Sequence, residues 1–204
     1  MAYNRDAAVT YARLFSQVPC SDGFIMLNGR GGLPDYIATP DGTTIVSDFD
    51  ADGNIVSERV LAADGSPFTL PNSDALTNAQ ADDCTHFISS CIGQPPKVAA
   101  GGLKLPRMWG DPPHDPYGVS RVSTLLKYLT DHGLARALAT NSTDTTVADR
   151  LDPGDLIAYV NSDGEAQHFG LYVGSGLICS HTRSRLDWPW QRLDFSAWTF
   201  LHIA

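Results

Sequence analysis

The residues with chemistry to offer gather in one stretch, Asp82-Asp83-Cys84-Thr85-His86-Phe87-Ile88-Ser89-Ser90-Cys91-Ile92-Gly93. Phe87, Ile88, Cys91 and Ile92 recur at the spacing of a buried helix. Asp82 or Asp83 offers an N-cap, and Gly93 followed by Pro95-Pro96 offers a stop. Cys84 therefore falls in the first helical turn, where unsatisfied N–H groups and the helix dipole favour an anion. A thiol placed there has its pKa lowered and can attack as thiolate. The other reading of a lone cysteine is a small core hydrophobe, and partners elsewhere in the chain decide between the two.

A reactive thiol needs a base within hydrogen-bond reach and a third group to orient that base. His168 opens a strand ending in Gly174-Ser175-Gly176, a tight-turn signal, and the chain returns from Leu177 to Thr182. If Gly174-Ser175 are the central turn residues, His168 faces His181 directly. If Ser175-Gly176 are central, Gly170 faces His181 and the two imidazoles are diagonal neighbours. Both registers put the histidines on one face of the sheet; a three-residue loop would flip the parity and substitute Ser180. Two imidazoles on one face suit a base and its orienter. They also suit a metal pair, with a third ligand from Cys84, Asp163 or Asp187, but no metal and no cofactor is expected. His86, two residues beyond Cys84, points away from it on a helix. His114 and His202 are read as structural or solvated, and His132 as a dipole partner in the last turn of a helix.

The elements that must position these groups are legible in order. Residues 4–15 carry Ala7, Ala8, Tyr11, Ala12 and Phe15 at helical spacing. From 21 to 72 the chain is rich in Gly, Asp and Pro. The pairs Asp41-Gly42, Asp52-Gly53 and Asp64-Gly65 punctuate short runs at 43–48, 54–62 and 66–70, which predicts a small β-meander inserted at about 36–72. Inside it Asp48, Asp50, Asp52 and Gly53 mimic the opening of a calcium loop. The twelfth position holds Arg59 rather than Glu, however, so a charged hairpin turn is preferred. Residues 97–117 form a long Gly/Pro loop carrying Met108, Trp109, His114 and Tyr117. A helix over 120–132 follows, with Ser120 as cap, Val122, Leu125, Leu126 and Leu129 as core face, and Gly133 as stop. The last third reads as strands at 156–160, 168–173, 177–182 and 198–203. Helices followed by an antiparallel sheet make an α+β layout.

The 204 residues, 43% hydrophobic and 18% charged, suit one globular domain over 1–204 with a full core. A net charge of −9 with no basic run argues against nucleic acid as partner. Apolar stretches are too short for a membrane span. The start, Met1-Ala2-Tyr3-Asn4-Arg5-Asp6, lacks a signal-peptide pattern, so the expectation is a cytoplasmic chain or one exported by a route the sequence does not display. Four cysteines without a CxxC pair exclude a disulfide scaffold and a zinc ribbon, which leaves Cys20, Cys91 and Cys179 to the core.

Taken together, the motifs resemble a known arrangement. Asp83-Cys84-Thr85-His86-Phe87-Ile88-Ser89 is similar to the DCTNF(V/I)S signature of the putative amidase domain family, related to NlpC-type and CHAP peptidases of the papain-like superfamily. The opening from Tyr3 to Ala12 resembles that family's YNR-x-A-A-V-x-Y-A helix. Gly154-Asp155-Leu156-Ile157 and His168-Phe169-Gly170-Leu171-Tyr172-Val173-Gly174 resemble the GD(L/V)I and H-x-G-(I/L)-Y-V-G strands of NlpC-type enzymes, and Ser180-His181-Thr182 the segment that follows. Two departures stand out: His86 replaces the usual Asn, and the meander has no counterpart.

The resemblance implies a papain-like core, with a nucleophile helix packed on the antiparallel sheet, and a thiol amidase acting on a peptide or peptidoglycan-type substrate. Cys84 would attack the amide, His168 would serve as base and then acid, and His181 would fix the tautomer of His168. The Cys84 N–H would donate to the oxyanion, with Tyr3, Asn4 or Asp83 as candidates for a second donor. Trp109 and Trp188 are candidates to line the substrate groove, whereas Trp190 is assigned to packing. The rival readings are acyl transfer or deamidation on the same triad, separated by product analysis, and an inactive peptide- or glycan-binding module with an unreactive Cys84.

Overall fold

The structure, a computed structural model, describes residues 2–28, 34–52, 55–68, 83–107, 116–182, 184–193 and 195–204. Asp82, Met108, Trp109 and His114 lie outside the described residues. Helix α1 (Arg5–Phe15) starts where Asn4 Oδ1 accepts the Ala7 N–H at 3.1 Å, and its buried stripe is Ala8, Tyr11 and Ala12. Two separate antiparallel hairpins follow, β1 (Phe24–Asn28) with β2 (Pro34–Ala38) and β3 (Thr44–Phe49) with β4 (Ile55–Leu61). Among the described residues, the second is extended by a single bridge from Leu61 to Pro67. The runs expected at 43–48 and 54–62 correspond to β3 and β4, residues 69 and 70 of the third run lie outside the described residues, and β1–β2 is a further hairpin that the sequence reading did not assign. The turns at Asp41-Gly42 and Asp64-Gly65 are present, with both glycines at positive φ.

Helix α2 (Cys84–Ile92) is buried at every position, and Gly93 ends it. Helix α3 (Val122–Asp131) starts later than expected: Arg121, not Ser120, is its cap residue, and Leu125 and Leu129 form its buried face. The main sheet has six strands, β5 (Ala135–Ser142), β6 (Leu156–Val160), β7 (Ala166–Gly174), β8 (Leu177–Ser180), β9 (Arg185–Pro189) and β10 (Ala197–Ile203). Their spatial order is β5-β10-β6-β7-β8-β9, with antiparallel pairing throughout. The protein is thus α+β, with antiparallel sheets and few helices. Among the described residues, no helix is long and apolar enough to cross a membrane.

Alternation along the strands builds two cores from one sheet. Leu156, Ala158, Phe169, Leu171, Cys179 and Leu201 join Phe87, Ile88 and Leu125 beneath the helices. The alternate residues Ile157, Tyr159, Tyr172, Ile178 and Phe200 pack on the other face with Trp190 and Trp198. Each such side chain buried contributes roughly 1.5–3 kcal/mol, so both faces are energetically committed. Gly170 is required where β7 meets β8: a Cβ there would lie 2.8 Å from Ile178 Cδ1. The chain ends are tied by Asp155, fully buried, whose carboxylate accepts from Arg5 Nη1 (2.7 Å), the Ile203 N–H (3.0 Å), the Asp152 N–H (2.9 Å) and His202 Nδ1 (3.1 Å). Arg5 Nη2 also donates to the Ile203 carbonyl.

Candidate active site

Cys84 is the first residue of α2 and only 2% exposed. Its Sγ lies 3.7 Å from Thr85 Oγ1. Asp83 caps the helix by an unexpected route. Its side chain makes no cap bond to α2; instead Oδ1 accepts the Met26 N–H (2.9 Å) and meets His86 Nδ1 (2.8 Å), while Oδ2 meets His181 Nδ1 (2.6 Å). The start of the helix is capped by a residue from the far end of the sheet. Thr182 Oγ1 accepts the N–H groups of Asp83 (2.7 Å) and Cys84 (3.1 Å), and Thr182 adopts positive φ.

A buried chain of polar groups thus runs beside the cysteine. His86 Nε2 is 2.8 Å from Asp22 Oδ2, and Asp22 also accepts the Phe24 and Tyr117 N–H groups. His181 Nε2 donates to the Phe15 carbonyl at 2.5 Å, and its ring stacks on Phe87 at 4.2 Å. Burial works to raise the Asp83 carboxyl, but the His86 and His181 imidazoles outweigh it and hold the group down to about 2. Burial likewise opposes the His86 cation, yet the Asp22 and Asp83 carboxylates outweigh it and push its pKa well up. Asp22 is lowered against its own burial by His86 and the two backbone donors. Burial lifts the nearby Cys20 thiol to about 11.

His181 is therefore not the orienter of His168. A bulge between Tyr172 and Gly174 shifts the β7–β8 register to Leu171↔Cys179 and Tyr172↔Ile178, which inverts the expected parity. His181 falls on the helix side, with both nitrogens committed to Asp83 and Phe15. His168, 7% exposed, lies opposite Tyr159 on β6, its ring 5.6 Å from the tyrosine ring. Helix α2 packs against both β7 and β8, but His168 shares with Tyr159 the face of the sheet opposite the helix-side core.

Other assigned residues also find different work. The Cys84 N–H, expected to donate to an oxyanion, donates to Thr182. Tyr3 donates to the Gly154 carbonyl at 2.7 Å, so its hydroxyl is not an oxyanion donor here, while Asn4 caps α1 through its Oδ1. Asp83 is 2% exposed and engaged on both oxygens, which removes it from substrate contact. Trp188 stacks on Phe49 at 5.4 Å, and Ser47 Oγ donates to the Ser184 carbonyl at 3.1 Å, so Trp188 helps seat the β3–β4 hairpin on the edge of the sheet. Asp48 pairs across that hairpin with Arg59, the residue standing where a calcium loop has its Glu. Trp190 is packed edge-on to Trp198 and Phe200.

Cys20, Asp83 and His181 bring donor atoms within 4.8 Å of one another. Two donors on one zinc stand about 3.3 Å apart, whereas His181 Nδ1 and Asp83 Oδ2 are 2.6 Å apart. Asp83 and His181 form a hydrogen-bonded pair with Cys20 beside them, not a chelate. A cavity of about 380 Å³ lies beyond it, lined by Phe15, Cys20, Thr39, Thr43 and Lys97 and by neither Cys84 nor His168. Asp22 and Thr182 are the site residues that the sequence reading missed. Thr182 lies in a matched motif but was assigned no role there, and nothing marks Asp22 in its loop.

An α+β domain with a thiol at the start of a buried helix is the class these features define. The chain belongs to the putative amidase domain family, whose model matches residues 2–203. No curated protein and no solved structure matches it. The family points to an enzyme and to amide hydrolysis in general.

Proposed function

We propose that the protein is a cysteine-dependent amide hydrolase of the papain-like type, with Cys84 as nucleophile and His168 as base. The observation that carries the reading is the position of Cys84 at the first residue of α2, where the dipole favours a thiolate. His168 is chosen as base because it opens the segment similar to the H-x-G-(I/L)-Y-V-G strand of NlpC-type enzymes; among the other described histidines, His86 and His181 are held by carboxylates and a carbonyl, and His132 and His202 by Tyr128 and Asp155.

In the first step the Cys84 thiolate bonds to the amide carbon, the C–N bond breaks, and the His168 imidazolium gives its proton to the leaving amine. In the second, water attacks the thioester, His168 takes a proton from it, and the thiolate leaves as the carboxylic acid forms. Thr182 now matters to the oxyanion. Its hydroxyl oxygen holds the Cys84 N–H, so that donor turns to the substrate only as the Thr182 contact lengthens. The substrate proposed is a peptide amide of the peptidoglycan stem type, in line with the NlpC/CHAP likeness of the motifs.

The test is the rate of Cys84 alkylation against pH, located by mass spectrometry, in wild type and His168→Ala. A low apparent pKa that disappears in the variant supports the pair and justifies assaying stem peptides. Slow alkylation near the free-thiol value of about 8.5, indifferent to His168, refutes it.

A further inference from the structure

The chain of groups beside Cys84 carries a definite proton inventory. The Phe15 carbonyl can only accept, so His181 Nε2 bears a hydrogen, and a further hydrogen lies between His181 Nδ1 and Asp83 Oδ2. Asp22 and Asp83 each accept backbone N–H groups as well as an imidazole, the pattern of ionised carboxylates. A ring lying between two ionised carboxylates, at 2.8 Å on both sides, must donate from both nitrogens. His86 is then an imidazolium, buried and flanked by two anions.

We propose that Asp22 and His86 are positioning residues for Cys84: as a buried ion pair they clamp Asp83 at the start of α2 and set the net charge felt by the Cys84 sulfur. This rests on the reading of Cys84 as nucleophile. Asp83 directly precedes Cys84, and a carboxylate so near a thiol opposes the thiolate. Asp22, His86 and Asp83 together carry −1, and the variants below change that sum, while His181 and its hydrogens on Asp83 and the Phe15 carbonyl are common to all of them. The other ionisable groups facing His86 are Cys20, a neutral thiol from the same loop as Asp22, and His181, which reaches it only through Asp83.

The count orders three variants. In His86→Asn the amide nitrogen overlays Nδ1, so the Asp83 contact persists while Asp22 loses its imidazole; the local charge becomes −2. In Asp22→Asn it becomes 0. In the double variant it returns to −1. The apparent pKa of Cys84, read from alkylation rate against pH, is expected to rise by about one unit in His86→Asn, to fall in Asp22→Asn, and to return close to wild type in the double variant. A merely structural role moves both single variants the same way. Shifts of one sign in both, or none, overturn the proposal.

Nitrogen chemical shifts of His86 in the intact wild-type protein at pH 7.5 give a second decision if His86→Asn does not fold. Two protonated nitrogens support the ion pair, and a neutral tautomer overturns it. Because the ladder reads differences in the Cys84 pKa, it stands apart from the nucleophile reading, which fails on indifference of the wild-type thiol to His168→Ala.

Discussion

Replacing Asp155 by alanine tests the tie between the two ends of the chain. Four donors lose their acceptor: Arg5, the Ile203 and Asp152 N–H groups, and His202. They do not count equally. The Arg5 side chain is 27% exposed and His202 31%, so water can replace what they lose, and ion pairs with that much access are weak. The Ile203 N–H is buried, and orphaning it costs about 1–3 kcal/mol. Breaking a buried pair outright costs about 3–5 kcal/mol; with one partner half in water, we expect about 3 kcal/mol. For a chain of this size that lowers Tm by roughly 6–12 °C. Urea unfolding of Asp155→Ala, Arg5→Ala and the double variant gives the energies. Arg5→Ala should be the milder single change, and the double should fall short of the sum by at least ~1 kcal/mol, because both remove the same contact. Additive singles, or a loss under ~1 kcal/mol for Asp155→Ala, would refute the view that this carboxylate joins α1 to β10.

Three further outcomes are expected. Cys84→Ala should abolish turnover of peptide amides while moving Tm by only a few degrees; retained turnover would remove Cys84 from the chemistry. The Asp22–His86–Asp83 cluster should make stability peak between about pH 4 and 6.5. The depressed carboxylates contribute fully above their unfolded pKa near 3.9 and lose that contribution as pH falls through their folded values, about 2 for Asp83 and below the ordinary value for Asp22. The raised imidazole contributes fully below 6.5 and loses its contribution as pH climbs toward its folded value. Urea midpoints from pH 3 to 9 should show both slopes, and the alkaline one should flatten in His86→Asn. Finally, Gly170→Ala presses a methyl against Ile178 and should cost about 1–3 kcal/mol, part of it recovered in Gly170→Ala/Ile178→Val, where the 2.8 Å contact to Cδ1 no longer exists; thermal melts that show no recovery would point to backbone strain instead.

Much of the frame was legible because burial imposes a period. Strands β6, β7 and β10 are apolar runs, α1 shows its stripe and its Asn4 cap, and α2 shows its stripe and its stop at Gly93. What escaped reading lacks such a signal. Strand β5 (ARALATNS) is an edge strand with one large apolar side chain, Leu138, and half its positions exposed. Strand β9 (RLDWP) contains a proline and Asp187 at positive φ. The β1–β2 hairpin was submerged in Gly- and Asp-rich sequence. At the site, Cys84 was placed by the helix pattern, but the role of His181 hung on strand parity. One bulged residue reversed it, and bulges leave no compositional mark.

The polar motifs share a further property. Arg5, Asp155, Tyr3, Asp83, His181 and Thr182 all belong to matched segments, and all six are engaged in holding one element to another. A short polar motif therefore marks the place where long-range tethers converge as much as the place where bonds are made and broken. His86 shows the consequence. Read along the helix it points away from Cys84 and looks idle; read across the fold it is held between two acids, one of them 64 residues away in a loop without pattern. Nothing in the periodicity of α2 could supply that partner. A change at position 86 therefore has to be weighed together with position 22, because the charge carried by one is set by the other.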